Sequence, residues 1–160
     1  LWYRPVNFEK EKGHPVVDKQ TCLEFVRKVY SINNFVKLCD IKFDDMECGQ
    51  ATLSMVIDPN KHTNLYGIVH GGALESLADT AIGAVCATVG AWAMTLSITN
   101  NFIKNIPAGE KAVCVAKIRH HGRTTIIVDA DMYNPQKQLM CRTLATMFVR
   151  GSFPEVPAKW

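Results

Sequence analysis

The spacing of apolar residues changes along this chain, and each change predicts an element. In residues 21–35, TCLEFVRKVYSINNF, the side chains of Leu23, Val26, Val29 and Tyr30 fall on one helical face. Thr21 with Glu24 three residues on has the form of a capping box that would start the helix. Residues 36–47 and 50–58 read as two strands joined near Cys48 and Gly49, with Ala51, Leu53, Met55 and Ile57 alternating in the second. A loop rich in turn residues, DPNKHTNLYG, follows. In HGGALESLADTAIGAVCATVG the apolar positions Leu74, Leu77, Ala78, Ala81, Ile82, Val85, Cys86 and Val89 keep i, i+3, i+4, i+7 spacing. That predicts a helix with one broad buried face, which Gly90 can end. Period two then takes over in 94–103, 111–119, 124–133 and 139–149, with turns at 106–109, 121–122 and 134–135. In the first of these, Leu96, Ile98 and Phe102 share one face, and Thr95, Ser97, Thr99 and Asn101 the other. Residues 1–20, broken by Pro5, Gly13 and Pro15, read as an irregular segment.

About six strands with short connections and one long apolar helix predict an α+β fold: an antiparallel sheet wrapped around the helix. Residues 21–160 are expected to form one domain, and apolar surface left on the sheet suggests a second copy of the chain. The chain has 160 residues, 48% hydrophobic and 21% charged, which excludes a disordered or fibrous protein. A net charge of +3 is too weak to argue for nucleic acid or a membrane surface as partner. The apolar stretch over residues 73–94 contains Glu75 and Asp79 and reads as a buried helix rather than a membrane span. The six cysteines form no C-x-x-C pair, and the N-terminal residues lack the apolar stretch of a signal peptide. Reduced thiols and a cytoplasmic location follow as expectations. His62, His70, His120 and His121 have no metal-ligand spacing, so no metal is expected. Arg119, Arg123 and Lys137 lie near the later turns, where they form either a phosphate contact or a solvated face.

Candidate chemistry gathers at the start of the long helix. Gly71 and Gly72 let a ligand approach the backbone, and the first N–H groups of a helix lack internal partners. Together with the helix dipole they can stabilise an oxyanion, although a tight turn alone would also explain two glycines. Asp79 lies at the edge of the apolar stripe beside Leu77, Ala78 and Ile82, so partial desolvation is expected to strengthen it as a base or nucleophile. Glu75, one turn earlier, is its rival. Gly71 and Asp79 are eight residues apart, about 12 Å along the axis. A general base acts within about 3 Å, so the two cannot serve one reacting carbon unless a second, antiparallel copy supplies one of them. Ser97, on the polar face of the next strand, is a third candidate.

The motif N-x-x-G-x-x-H-G-G-x-x-x-x-L-A-D-T, residues 64–80, resembles the PaaI-like acyl-CoA thioesterases of the hotdog fold. The resemblance runs from about residue 36 to 150, including the turns at 105–109 and 122–124. It implies that the Gly71 N–H binds the thioester carbonyl, with Gly72 beside it, and that Asp79 of a partner chain is base or nucleophile. It further implies that Asn64 positions the site, that His70 lies beside the thioester, and that Ser97 assists the water. Arg123 is its weaker candidate for the CoA phosphates. No cofactor is implied. Acyl-CoA is the implied substrate, in a homodimer that can pair into a homotetramer. Two other reactions remain open: hydration or dehydration of an acyl thioester with His70 as base, and acyl-CoA binding without turnover. The acyl group itself is not specified, beyond a pocket wall that would draw on Trp92, Met94 and Phe102.

Overall fold

The computed structural model describes residues 18–160. Helix α1 (Lys19–Tyr30) begins two residues before the expected start, because Asp18 and not Thr21 is its cap: the Asp18 carboxylate accepts the Thr21 N–H at 2.8 Å. Residues 19 and 20, expected to be irregular, are helical, and the rest of that expectation, on residues 1–17, lies outside the described residues. Cys22, Leu23 and Val26 form the buried face of α1.

Where a strand was expected to begin at residue 36, the chain forms a one-turn helix, α2 (Asn34–Leu38). The Asn33 side chain accepts the N–H groups of Phe35 and Val36 at 3.0 and 3.2 Å, which favours a helical turn over an extended chain. Strand β1 (Lys42–Glu47) starts only after Asp40 has turned the chain at φ +52°. Strand β2 (Gln50–Val56) pairs back on it through Gly49.

The long helix α3 (Gly71–Ala87) leads into β3 (Ala91–Phe102), β4 (Lys111–His121), β5 (Thr125–Tyr133) and β6 (Leu139–Ser152). The strands form one antiparallel sheet in the order β1-β2-β4-β5-β6-β3. The sheet wraps α3, which touches β2 through β6. Ile126, Val128, Ala130 and Met132 alternate inward on β5 and are fully buried, as are Leu77, Ala78, Ala81 and Ile82 on the facing helix. Each large side chain among them contributes about 1.5–3 kcal/mol by burial. The α+β architecture expected from the apolar periods is the one observed.

Two irregularities position the functional elements. The first is a β-bulge at Leu96: Thr95 pairs with Met147 and Ser97 pairs with Thr146, leaving Leu96 unmatched. Met147 and Ala145 are buried against the core, so Thr146 between them points to the outer face. Thr95 therefore faces α3 and Ser97 faces away, which corrects the simple alternation expected for this strand. The second is the C-terminal segment, which returns over the end of α3. Trp160 Nε1 donates to the Thr88 carbonyl at 2.7 Å, Phe153 N–H donates to the Gly90 carbonyl at 2.7 Å, and Phe153 packs edge-on against Phe25 of α1.

Strand β3 is an outer edge of the sheet and exposes Trp92, Met94 and Leu96. Among the described residues no helix is long and apolar enough to cross a membrane. All six cysteines are unpaired and five are buried. Burial pushes the Cys22 thiol up to about 11 and the Cys86 thiol to about 12.

Gly90 and Gly67 give a matched test of this fold. Both have positive φ, +69° and +73°, but a Cβ at Gly90 would fall on the Val156 carbonyl whereas Gly67 has open space around it. Gly67→Ala should destabilise the protein by about 1 kcal/mol, the cost of a left-handed residue alone. Gly90→Ala should lose at least about 2 kcal/mol, because the tail must also move. Urea midpoints of the two variants measure the difference.

Candidate active site

The loop before α3 is folded back on itself by its own polar groups. The Asp58 carbonyl accepts the N–H groups of Lys61 and His62, and His62 Nδ1 accepts the Asp58 N–H at 3.0 Å. His62 is only 3% exposed, and its ring fixes the loop. Asn64 closes the next turn. Its side-chain oxygen accepts the Tyr66 N–H at 2.9 Å, its carbonyl accepts the Gly67 N–H, and its own N–H donates to Ile68. The His62 carbonyl accepts the His70 N–H at 2.7 Å, which delivers the chain to the start of α3.

His70 is the N-cap of α3. Its Nδ1 accepts the Gly72 N–H at 2.9 Å, and its carbonyl accepts the Ala73 N–H at 2.9 Å. An accepting Nδ1 is unprotonated, so the ring proton resides on Nε2 in this geometry. The Gly71 N–H lies between these bonds and has no acceptor among the described residues. It is an unpaired donor at the positive end of a seventeen-residue helix. The paired glycines have separate causes. A Cβ at Gly71 would come within 3.1 Å of the Phe102 ring, and one at Gly72 within 3.2 Å of His70 Nδ1. Phe102 thus packs against the Gly71 Cα, half exposed.

Asp79 stands two turns further along α3. It is exposed in the single chain, so the desolvation expected from its apolar neighbours does not arise within its own chain. Its partner is Thr95, whose hydroxyl donates to Oδ1 at 2.6 Å. Ser97 does not reach it, because the bulge at Leu96 sends Ser97 to the outer face. Sequence reasoning missed Thr95, since strict alternation put Thr95 and Ser97 on one face and gave no reason to prefer the former. Glu75 is exposed and has no hydrogen-bond or ionic partner among the described residues.

The basic residues do not gather at this site. Arg123 is exposed in the β4–β5 turn, at the level of Met94 and two strands away from it. Lys137 occupies the β5–β6 turn at the other end of β5, about 30 Å away along a nine-residue strand. Arg119 pairs with Asp129 at 2.6 Å on the outer face of the sheet. There Arg142 also pairs with Asp131 at 2.7 Å and holds that carboxyl below its usual range, chiefly through the hydrogen bond between them. A cavity of about 260 Å³ on this face is lined by Val115, Lys117, Arg119, Asp129, Asp131 and Tyr133 and is separated from α3 by the sheet. Among the described residues no three His, Cys, Asp or Glu side chains come together as a metal site requires.

Known proteins share this fold. The sequence profile of the Thioesterase superfamily matches residues 66–141. The acyl-coenzyme A thioesterase PaaI of Escherichia coli is 30% identical over 110 residues, covering 69% of this chain and 78% of that protein. The structure of E. coli PaaI superposes with a TM-score of 0.79 at 25% identity, covering 84% of this chain and 97% of that one. A hypothetical thioesterase protein of Streptococcus pneumoniae, solved with coenzyme A, superposes with a TM-score of 0.73 at 27% identity, covering 79% and 98% of the two chains. Thioesterase structures from that organism also exist with an aspartate or a threonine replaced by alanine, at positions sixteen residues apart.

The cap on α3 can be tested by stability alone. His70→Ala removes the acceptor of the Gly72 N–H and should cost about 1 kcal/mol in urea unfolding, whereas His70→Asn, a strong cap, should restore most of it.

Proposed function

Because the chain belongs to the thioesterase superfamily, as a PaaI-like member with the hotdog fold, we propose that it hydrolyses an acyl-CoA to the free acid and CoA at a site shared by two copies of the chain. The observation that carries this reading is the pairing of Asp79 with Thr95, two turns along the same helix from an unpaired Gly71 N–H. The coenzyme A bound to the Streptococcus pneumoniae relative supports the substrate class. The spacing of the aspartate and threonine replaced in thioesterases from that organism equals the sixteen residues from Asp79 to Thr95.

The chemistry follows from where charge develops. The thioester carbonyl oxygen accepts from the Gly71 N–H, and the helix dipole favours the negative charge that grows there. Thr95 engages Asp79 Oδ1 and leaves Oδ2 to take a proton from the attacking water. Collapse of the tetrahedral intermediate expels the CoA thiolate, a good leaving group that needs no strong acid. His70 supports this reading over hydration: while Nδ1 holds the Gly72 N–H, the nitrogen that could act as a base is occupied.

The second copy is needed because Gly71 and Asp79 of one chain are about 12 Å apart along α3. Strand β3 offers the contact. It is a twelve-residue edge strand exposing Trp92, Met94 and Leu96, the kind of edge that stays unpaired only at a risk of aggregation. Two-fold pairing along it sets the helices antiparallel and Gly71 opposite Asp79. A homotetramer would then be two such dimers, and the unpaired thiols suit a cytoplasmic setting.

Released thiol from a panel of acyl-CoAs tests the roles. Asp79→Asn should lower kcat by about 10²–10⁴-fold. Thr95→Ala should lower it by about tenfold, with Thr95→Ser close to the parent and Ser97→Ala unaffected. An Asp79→Asn enzyme of undiminished activity would end the assignment.

The shared site has its own test. Chains carrying Asp79→Asn and chains carrying Gly71→Val should each be inactive alone. Unfolded and refolded together, they should recover about a quarter of the parent activity, because half of the dimers hold one intact site of two. A mixture as inactive as its components counts against a site built from two chains.

A further inference from the structure

The exposed stripe of α3 that carries Asp79 does not run open to the end of the helix. Gly72, Glu75 and Asp79 are exposed along it, and one turn beyond Asp79 comes Gly83, which is half-buried. What covers Gly83 is Tyr30, arriving from α1. Its hydroxyl lies 2.7 Å from the position a Cβ on Gly83 would take, so the tyrosine fills the space where another residue would carry a side chain. The Tyr30 ring is held from behind by Phe43 of β1, with centroids 5.1 Å apart. Asp79 and Gly83 are four residues apart, about 6 Å along the axis, so Tyr30 closes the stripe within one turn of the proposed base.

We propose that Tyr30 is the end wall of the acyl pocket and restricts the enzyme to short or single-ring acyl groups. The inference rests on the thioesterase reading and deepens it. In the antiparallel arrangement that puts Gly71 opposite Asp79, Gly83 lies about one turn beyond the start of the partner subunit's α3, on the side of the loop that precedes that helix. Leu65 and Tyr66 of the partner subunit belong to that loop, and in the single chain these two side chains are 86% and 78% exposed. The chamber beyond Asp79 is then apolar and closed by Tyr30. The pantetheine arm and phosphates of CoA are polar and must lead to solvent, so the closed end receives the acyl group. The phenol suits such a wall: burial above all, with the Cys86 thiol and the Asp79 carboxylate adding to it, pushes its pKa well up, so it remains uncharged.

The experiment compares kcat/KM for butyryl-, benzoyl-, octanoyl- and palmitoyl-CoA in the full chain and in three variants. The ratio between two substrates measured on one preparation is independent of the fraction of active enzyme, so a merely structural effect does not move it. The parent should prefer butyryl- or benzoyl-CoA. Tyr30→Ala should raise the octanoyl-to-butyryl ratio at least about tenfold. Gly83→Ala, which pushes the hydroxyl inward, should lower that ratio and leave turnover of butyryl-CoA measurable. Tyr30→Phe, which keeps the ring, should leave the octanoyl-to-butyryl ratio within about twofold of the parent's. If Tyr30→Ala does not fold, Tyr30→Leu, also shorter than tyrosine, should shift the ratio in the same direction. Ratios unchanged within about twofold in every folded variant would overturn the wall while leaving the thioesterase reading intact. Absence of CoA release by the parent from all four substrates overturns both.

Discussion

An α-helix advances 1.5 Å per residue, and this rise constrains everything proposed for the chain. The unpaired donor at Gly71 and the carboxylate at Asp79 lie on one rigid rod, about 12 Å apart, and no side-chain rotation closes that distance. A sheet that wraps the rod holds it but cannot shorten it. The chain can bring the two groups together only by repeating itself, which ties the proposed chemistry to assembly. The single chain agrees with this in its exposures. Asp79 is open to solvent, and so is the Phe102 ring beside Gly71, although a working base and an oxyanion donor both need water excluded around them. A second chain would supply that exclusion.

The bulge at Leu96 decides which hydroxyl serves the carboxylate. Without the extra residue, Thr95 and Ser97 would share a face, and either could reach α3. With it, the strand reverses its facing between them, and only Thr95 stays on the helix side. The same bulge turns Ile98 and Asn100 inward, where Asn100 accepts from the buried Thr143 hydroxyl at 2.6 Å. An inserted residue in an edge strand thus aims one side chain at the proposed site and satisfies a polar group in the core.

What could be read from the sequence divides along physical lines. The long helix and the inward residues of β5 were legible because burial imposes a period, and periods survive in a linear string. The places of the glycine pair and Asp79 on that helix were legible because spacing along a helix is fixed. The failures involve choices that burial does not impose. Asn33 captures two backbone N–H groups and makes a helical turn out of residues whose apolar content suited a strand. Asp18 displaces Thr21 as a cap because either residue type can do it. Leu96 hides a bulge, since an apolar residue in an apolar strand carries no mark of being unmatched. Arg123 and Lys137 look close in the sequence but are at opposite ends of β5, because a hairpin strand separates its two turns by its own length.

The edge strand carries two demands at once. A long apolar edge invites any other strand to pair with it, and proteins usually blunt such edges with charge, proline or a short length. β3 does none of these where it exposes Trp92, Met94 and Leu96, and it runs for twelve residues. What it does carry is the bulge, next to the residue that holds Asp79. A bulge disrupts the ladder locally and fixes register, so it admits a partner whose strand accommodates the irregularity and disfavours one that pairs regularly. A second copy of the same chain, related by a two-fold axis, meets its own bulge symmetrically. The feature that aims Thr95 at Asp79 would then also select the partner that completes the site, so assembly and catalysis would depend on the same inserted residue.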